Sequence, residues 1–255
     1  MRVYQFRHLG TGAIAKGGSK PCQRGPGRLR PGGLVRMRPI ERQRPFGYQW
    51  RMAIRFHQGD LGDLSPYRDS VAIDTETLGL NPHRDRLCVV QLSPGDGSAD
   101  VVQIPAGAKD APNLKKLLAD TTKTKIFHFA RFDIAALFHA FGVMPAPVYC
   151  TKIASRLTRT YTDRHGLKDL VREVLNIDLS KQQQSSDWGA PALTEAQLAY
   201  AASDVLHLHA LKDKLDVMLA RESRTGMAEA CFRFLPDRAR LDLAGWAEED
   251  IFAHS

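Results

Sequence analysis

Val71-Ala72-Ile73-Asp74-Thr75-Glu76-Thr77-Leu78-Gly79-Leu80 is the segment on which the fold turns. Val71, Ala72 and Ile73 make an apolar run that reads as a buried strand, and Gly79 lets the chain turn away at its C-terminal end. In an extended chain residues i and i+2 share a face, so Asp74 and Glu76 aim both carboxylates at one point. Acids that close repel, and one pKa rises unless a divalent cation neutralises the pair; hard oxygen ligands suit Mg2+ or Mn2+. An isolated Asp-x-Glu is more often a solvated strand end, so a metal site requires partners elsewhere in the chain.

A chain of 255 residues, 43% hydrophobic and 25% charged, has the composition of a soluble globular protein with one large domain or two small ones. No run approaches the roughly 18 to 20 apolar residues of a membrane helix, and the N-terminus lacks the apolar core of a secretory signal. A cytoplasmic protein with no membrane partner is therefore expected. Cys22, Cys88, Cys150 and Cys231 are irregularly spaced with no Cys-x-x-Cys pair, which fits reduced thiols better than zinc or disulfides. The net charge of +8 is unevenly placed: residues 1–51 hold 12 Lys/Arg and one acid, and the remainder holds 24 Lys/Arg against 27 acids. A slightly acidic folded part argues against a domain that tracks long duplexes by phosphate contacts alone.

Residues 1–51 are rich in Gly, Pro and Arg without periodicity, and are expected to form a disordered basic extension. An RNA-binding arm, a targeting segment, or a start codon assigned upstream of a true beginning at Met52 would each account for them; the last is preferred. Gly10-Thr11-Gly12 opens a weak dinucleotide-binding match, but no acid lies at the required distance and no βαβ unit follows. His83-Arg84-Asp85 matches a kinase triplet, yet Val90 stands where that pattern needs Asn.

From Met52 onward the pattern is that of one domain, 52–255. Strands are expected at Met52–Phe56, 70–76, 87–92 and 100–104, the last three forming a meander through the turn Pro94-Gly95-Asp96-Gly97. Short strands at 125–128 and 148–150 alternate with helical patterns near 112–120, 133–141, 151–158, 166–175 and 194–222. The expected class is α/β, a mixed five-to-six-stranded sheet with flanking helices. Met227–Ser255 carries Phe232, Phe234, Leu235, Trp246 and Phe252, too much apolar surface for a free tail, so it must dock on its own domain or a neighbouring subunit.

Two later elements supply further acids. Asp133 falls just after a strand at a helix start, where a dipole-favoured cap is the bland alternative. Tyr200-Ala201-Ala202-Ser203-Asp204 places a phenol and a carboxylate one turn apart on one helix face. Read together, Asp74-x-Glu76, Asp133 and Tyr200-x-x-x-Asp204 resemble the three motifs of the tyrosine-bearing DEDD 3′-to-5′ exonucleases. The segment Lys181-Gln182-Gln183-Gln184-Ser185-Ser186-Asp187-Trp188 with Leu193, Thr194 and Gln197 is similar to RNase D, although Ala190-Pro191-Ala192-Leu193 departs from the usual Arg-Pro-Leu. Across 52–255, including Asn81-Pro82-His83-Arg84-Asp85-Arg86-Leu87, the chain resembles the compact RNase D-like nanoRNase C family.

This resemblance implies an RNase H-like fold and two-metal hydrolysis of 5′-phosphorylated diribonucleotides and very short oligonucleotides to mononucleotides. Asp74 would bridge two Mg2+ or Mn2+ ions, Glu76 and Asp204 would complete one of them, Asp133 would hold the other, and Tyr200 would orient the water. Leu80 would act as an apolar wedge between bases, with Thr77, Lys181, Gln184 and Trp188 meeting substrate, Trp188 by stacking. A homo-oligomer, an octamer, is implied as well. The alternative is an RNase D-like enzyme trimming 3′ ends of longer structured RNA or short single-stranded DNA. A silent nucleic-acid-binding module is disfavoured because all five motif residues are present. His207 and His209 diverge on a helix and read as structural.

Overall fold

The computed structural model describes residues 53–254 apart from Lys109, Lys181 and Gln184, so the basic extension lies outside the described residues. Six strands, β1 (Ala53–Gln58), β2 (Ser70–Thr77), β3 (Leu87–Ser93), β4 (Ser98–Gln103), β5 (Thr124–Phe127) and β6 (Val148–Cys150), form one sheet in the order β1-β4-β3-β2-β5-β6. The meander β2-β3-β4 is antiparallel, as the sequence leads one to expect, while β1 joins β4 and β5 joins β2 in parallel, which makes the sheet mixed. Every residue of β3 is buried, which explains why its sequence is apolar on both faces, with Gln91 and Ser93 as its polar members, and not alternating. Gly95 and Gly97 supply the positive φ angles, 89° and 87°, that the β3-β4 turn requires.

The helices are α1 (Pro112–Ala119), α2 (Ala130–Phe141), α3 (Thr151–Thr158), α4 (Leu167–Leu175), α5 (Glu195–Leu206), α6 (Leu208–Arg221) and α7 (Thr225–Leu241). The single helix expected over 194–222 is two, because His207 leaves helical geometry (φ −102°, ψ −4°). That break lets α5 lie on β2, β3 and β4 while α6 packs on α3. His209 is structural as anticipated: its Nε2 lies 3.1 Å from Ser70 Oγ, and its ring sits so close to Gly95 that a Cβ there would lie 2.9 Å from it.

The C-terminal region docks in part. Phe232, Leu235 and Ala239 are buried on α7, and full burial of a side chain of the Leu or Phe class stabilises by about 1.5–3 kcal/mol. Pro236 lies inside α7, where it costs one backbone hydrogen bond that the apolar face offsets. Trp246, at the end of a wide π-type turn at Asp242–Trp246, and Phe252 beyond it remain exposed. Arg131 of α2 and Arg238 of α7 both donate to the Asp242 carboxylate, and His83 Nε2 meets Leu243 O at 2.9 Å.

At the opposite edge, the buried Asp100 carboxylate accepts from Arg55 at 2.7 Å twice, from the Tyr67 hydroxyl at 2.5 Å, and pairs with His57 Nε2 at 2.7 Å. These bonds pin edge strand β1 to β4. Asp100→Ala leaves the buried Tyr67 hydroxyl unpaired and is expected to lower unfolding free energy by about 2–3 kcal/mol in urea titration. An unchanged midpoint would show that β1 is held by backbone pairing alone.

Candidate active site

Strand geometry brings Asp74 and Glu76 to one face at the C-terminal end of β2, and α5 crosses that face. The α5 start is set by a capping box: Gln197 N donates to Thr194 Oγ1 at 3.2 Å and Thr194 N donates to Gln197 Oε1 at 2.9 Å. The box fixes the helix phase, so Tyr200 and Asp204 point at β2. Asp74, Glu76 and Asp204 each present an oxygen within 4.8 Å of the others.

Asp133 stands apart from this trio. It is buried in the first turn of α2, where Thr75 Oγ1 donates to its Oδ1 at 2.7 Å. Thr75 lies on the alternate face of β2 from its neighbours Asp74 and Glu76, so one strand addresses all four acids. The turn into α2 runs through Phe129 in the left-handed region (φ 69°), a conformation costly for a bulky residue.

Crowding these acids together disfavours their charged forms. Burial, then the charges of Asp74 and Asp204, pushes Glu76 up to about 9. Burial, then Asp74, pushes Asp204 up to about 8, with the Tyr200 hydroxyl pulling the other way. Asp74 is raised to about 7 by burial, and Asp133 is raised by burial and then by the Asp74 charge. Burial, then Asp204, raises the Tyr200 phenol above its ordinary value, so it is a hydrogen-bond donor at neutral pH. An all-oxygen cluster that cannot ionise fully without counter-charge fits hard divalent cations.

Asp74, Glu76 and Asp204 line a cleft of about 320 Å³ together with Tyr200, His128, Lys152 and Lys168, while Asp133 lies buried behind Thr75. Lys152 Nζ lies 4.2 Å from the Phe129 ring centroid. His128 Nδ1 pairs with Thr151 Oγ1 at 2.9 Å, and burial, then Lys152, holds the imidazole down to about 3, so it is neutral. Sequence reasoning missed His128, Lys152, Lys168 and Gln91, whose Nε2 donates to Asp74 Oδ2 at 3.2 Å. Gln91 left one signal, a lone amide in the apolar run Leu87–Leu92; the two lysines left none, since ordinary helix starts also carry lysine.

Other expected substrate contacts fare differently. Leu80 is 84% exposed beyond β2, and Thr77 donates its hydroxyl to Gly79 O. Lys181 and Gln184 lie outside the described residues. Trp188 corrects the expectation of a stacking platform: it is 3% exposed and packs in a second small core with Cys88, Val89, Val101 and Ala201. Its ring centroid lies 6.1 Å from that of Tyr200, so it backs the tyrosine where a base was expected. The apolar demand of that core between α5 and β3 claims the indole.

A 3′-5′ exonuclease family model matches residues 61–220. The chain belongs to the 3′-5′ exonuclease family. Within it, Brucella melitensis NrnC with bound Mg2+ is 68% identical and superposes with a TM-score of 0.78, covering 80% of this chain and 100% of that one. The same protein bound to pGG is 69% identical, with a TM-score of 0.78 over 80% of this chain and 100% of that one. Ribonuclease D of Gluconacetobacter diazotrophicus is 36% identical over 66% of this chain and 42% of that protein, so the chain spans about two fifths of the length of such curated relatives. Among these exonucleases the mixed sheet and flanking helices are the expected RNase H-like arrangement.

The raised acids make stability depend on pH. Glu76 and Asp204 have folded-state pKa values of about 9 and about 8, above their ordinary 4.5 and 3.8. Their contribution to stability is complete below the ordinary values and is lost as pH rises through the folded ones. In chelator, Tm is expected to fall between about pH 5 and about pH 9, and saturating Mg2+ is expected to remove most of that slope. A Tm that climbs across the window in chelator would contradict the crowding of these acids.

Proposed function

We propose that residues 52–255 form a two-metal-ion 3′-to-5′ exoribonuclease that converts 5′-phosphorylated diribonucleotides and very short oligoribonucleotides to mononucleotides. The observation that carries this reading is the Asp74, Glu76 and Asp204 oxygens within 4.8 Å of one another in a chain 69% identical to NrnC bound to pGG. The slightly acidic folded part supports it too, since a dinucleotide offers few phosphates and needs a local pocket more than a long basic groove. Free thiols at Cys88, Cys150 and Cys231 suit a reducing cytoplasm. A homo-oligomer, an octamer by resemblance, is supported by the exposed Trp246 and Phe252, which a neighbouring copy would cover. No described helix is long and apolar enough to cross a membrane.

In this reading Asp74, Glu76, Asp204 and Asp133 hold the cations. Two bound Mg2+ or Mn2+ ions supply an acidified water, charge neutralisation on the phosphate and stabilisation of the departing 3′ oxygen. The chain's own groups do the rest. Tyr200, protonated and backed by Trp188, donates a hydrogen bond that orients the attacking water. Lys152 and Lys168 set positive charge across the cleft from the carboxylates, where the scissile phosphate would lie. Leu80, projecting beyond the strand, is placed to part the terminal base from its neighbour.

Asp74→Asn removes the central charge and is expected to reduce turnover to the level of a chelator control while the fold persists. Tyr200→Phe keeps the ring and loses the donor; kcat is expected to fall by about 100-fold with KM little changed. Equal activity of Tyr200→Phe and the parent would remove the tyrosine from the chemistry. A competition time course with 5′-labelled RNA of two and about twenty nucleotides tests the substrate class. Rapid loss of the dinucleotide with persistence of the longer strand is expected. Stepwise shortening of both at similar rates would replace this reading with RNase D-like trimming.

A further inference from the structure

Gln91 is a polar residue with no exposed surface at the centre of a strand that is otherwise built for a core. The β2-β3 register sets it directly opposite Asp74, and its Nε2 donates to Asp74 Oδ2 at 3.2 Å. An ionised carboxylate only accepts, so the amide must present its NH2 group to it. Its Oε1 is buried and has no partner among the described residues. A buried amide with an orphaned acceptor is a less stable occupant of β3 than an apolar side chain of similar volume, because its desolvation is only partly offset. The sheet therefore gains nothing from this glutamine that a methionine or leucine would not supply.

What the glutamine does supply is orientation. Asp74 is the acid whose charge acts on Glu76, Asp204 and Asp133 alike, so the rotation of its carboxylate decides how the cluster faces the cleft. We propose that Gln91 is a positioning residue that locks the Asp74 carboxylate in its cation-binding orientation, at the expense of β3 stability. The inference rests on the reading of Asp74 as a divalent-cation ligand. Residues that hydrogen-bond to metal ligands commonly change metal affinity by about 10–100-fold when removed.

The test uses the full chain carrying Gln91→Met, with Gln91→Leu as a second shape, Mg2+ and Mn2+ titrated separately by calorimetry, and Tm measured in chelator. Cation affinity is expected to fall by about 10–100-fold in both variants while chelated Tm is unchanged or higher. This opposition of affinity and stability is a signature that a merely structural glutamine would not give. Affinity within about twofold of the parent in either folded variant overturns the proposal, as does a loss of affinity accompanied by a lower chelated Tm in both. A parent that itself binds no divalent cation overturns the exonuclease reading and this inference together, whereas a parent that binds normally confines any failure to Gln91.

Discussion

Asp74, Glu76 and Asp204 converge on the C-terminal end of β2 with Asp133 buried against Thr75, and the cost of charging these buried acids is the constraint to which the surrounding structure answers. Burial is the larger cause, since it removes the water that would otherwise screen the charges, and the Asp74 charge adds to it at Glu76, Asp204 and Asp133. Left alone the arrangement destabilises the fold when its acids ionise. It persists because the elements that carry the acids are fixed by interactions elsewhere: the capping box at the start of α5, the Thr75 bond to Asp133, and the antiparallel pairing that sets Gln91 against Asp74.

The apolar packing serves the same end. Beside the main core, a second cluster joins β3 and β4 to α5 through Val89, Val101, Ala201 and Trp188, and Tyr200 packs on it. Two side-chain amides hold the turn that delivers Trp188 by its carbonyls: Gln197 Nε2 donates to Asp187 O at 3.0 Å and Gln103 Nε2 donates to Ala190 O at 2.8 Å. On the other side of the site, Arg131 lies two residues before Asp133 and is tied to Asp242 of the C-terminal segment. The helices α2 and α5, which carry Asp133, Tyr200 and Asp204, are thus braced by residues outside the motifs.

Much of this was legible in the sequence, and for physical reasons. The strand at 70–76 showed because apolar β-branched residues end abruptly in acids, and the five motif residues showed because their order along the chain matches a family in which strand and helix periodicities converge them. Nanoribonuclease-like identity followed from the same residues and agrees with the 68% identity to NrnC. The parallel pairing of β1 with β4 was not legible, because it depends on Asp100 gathering Arg55, His57 and Tyr67 from distant positions. Trp188 misled because an aromatic near a nucleic-acid site reads equally as platform or as core, and only burial separates the two. Helix α7 was not read as a helix, because Met227–Ser255 showed itself only as apolar surface in need of cover, and Phe232, Leu235 and Ala239 do bury on it.

Without a cation the acids at β2 favour their protonated forms, and a bound divalent cation would displace those protons. With Glu76 and Asp204 raised to about 9 and about 8, the cation-free cluster carries bound protons at neutral pH. Calorimetric titration of Mg2+ at pH 7 in two buffers of different ionisation enthalpy counts the protons released on binding. Release of one proton or more per chain, abolished in Asp74→Asn, is the result this account predicts. Binding of Mg2+ with the same heat in both buffers would mean that the acids were already ionised, and would contradict it.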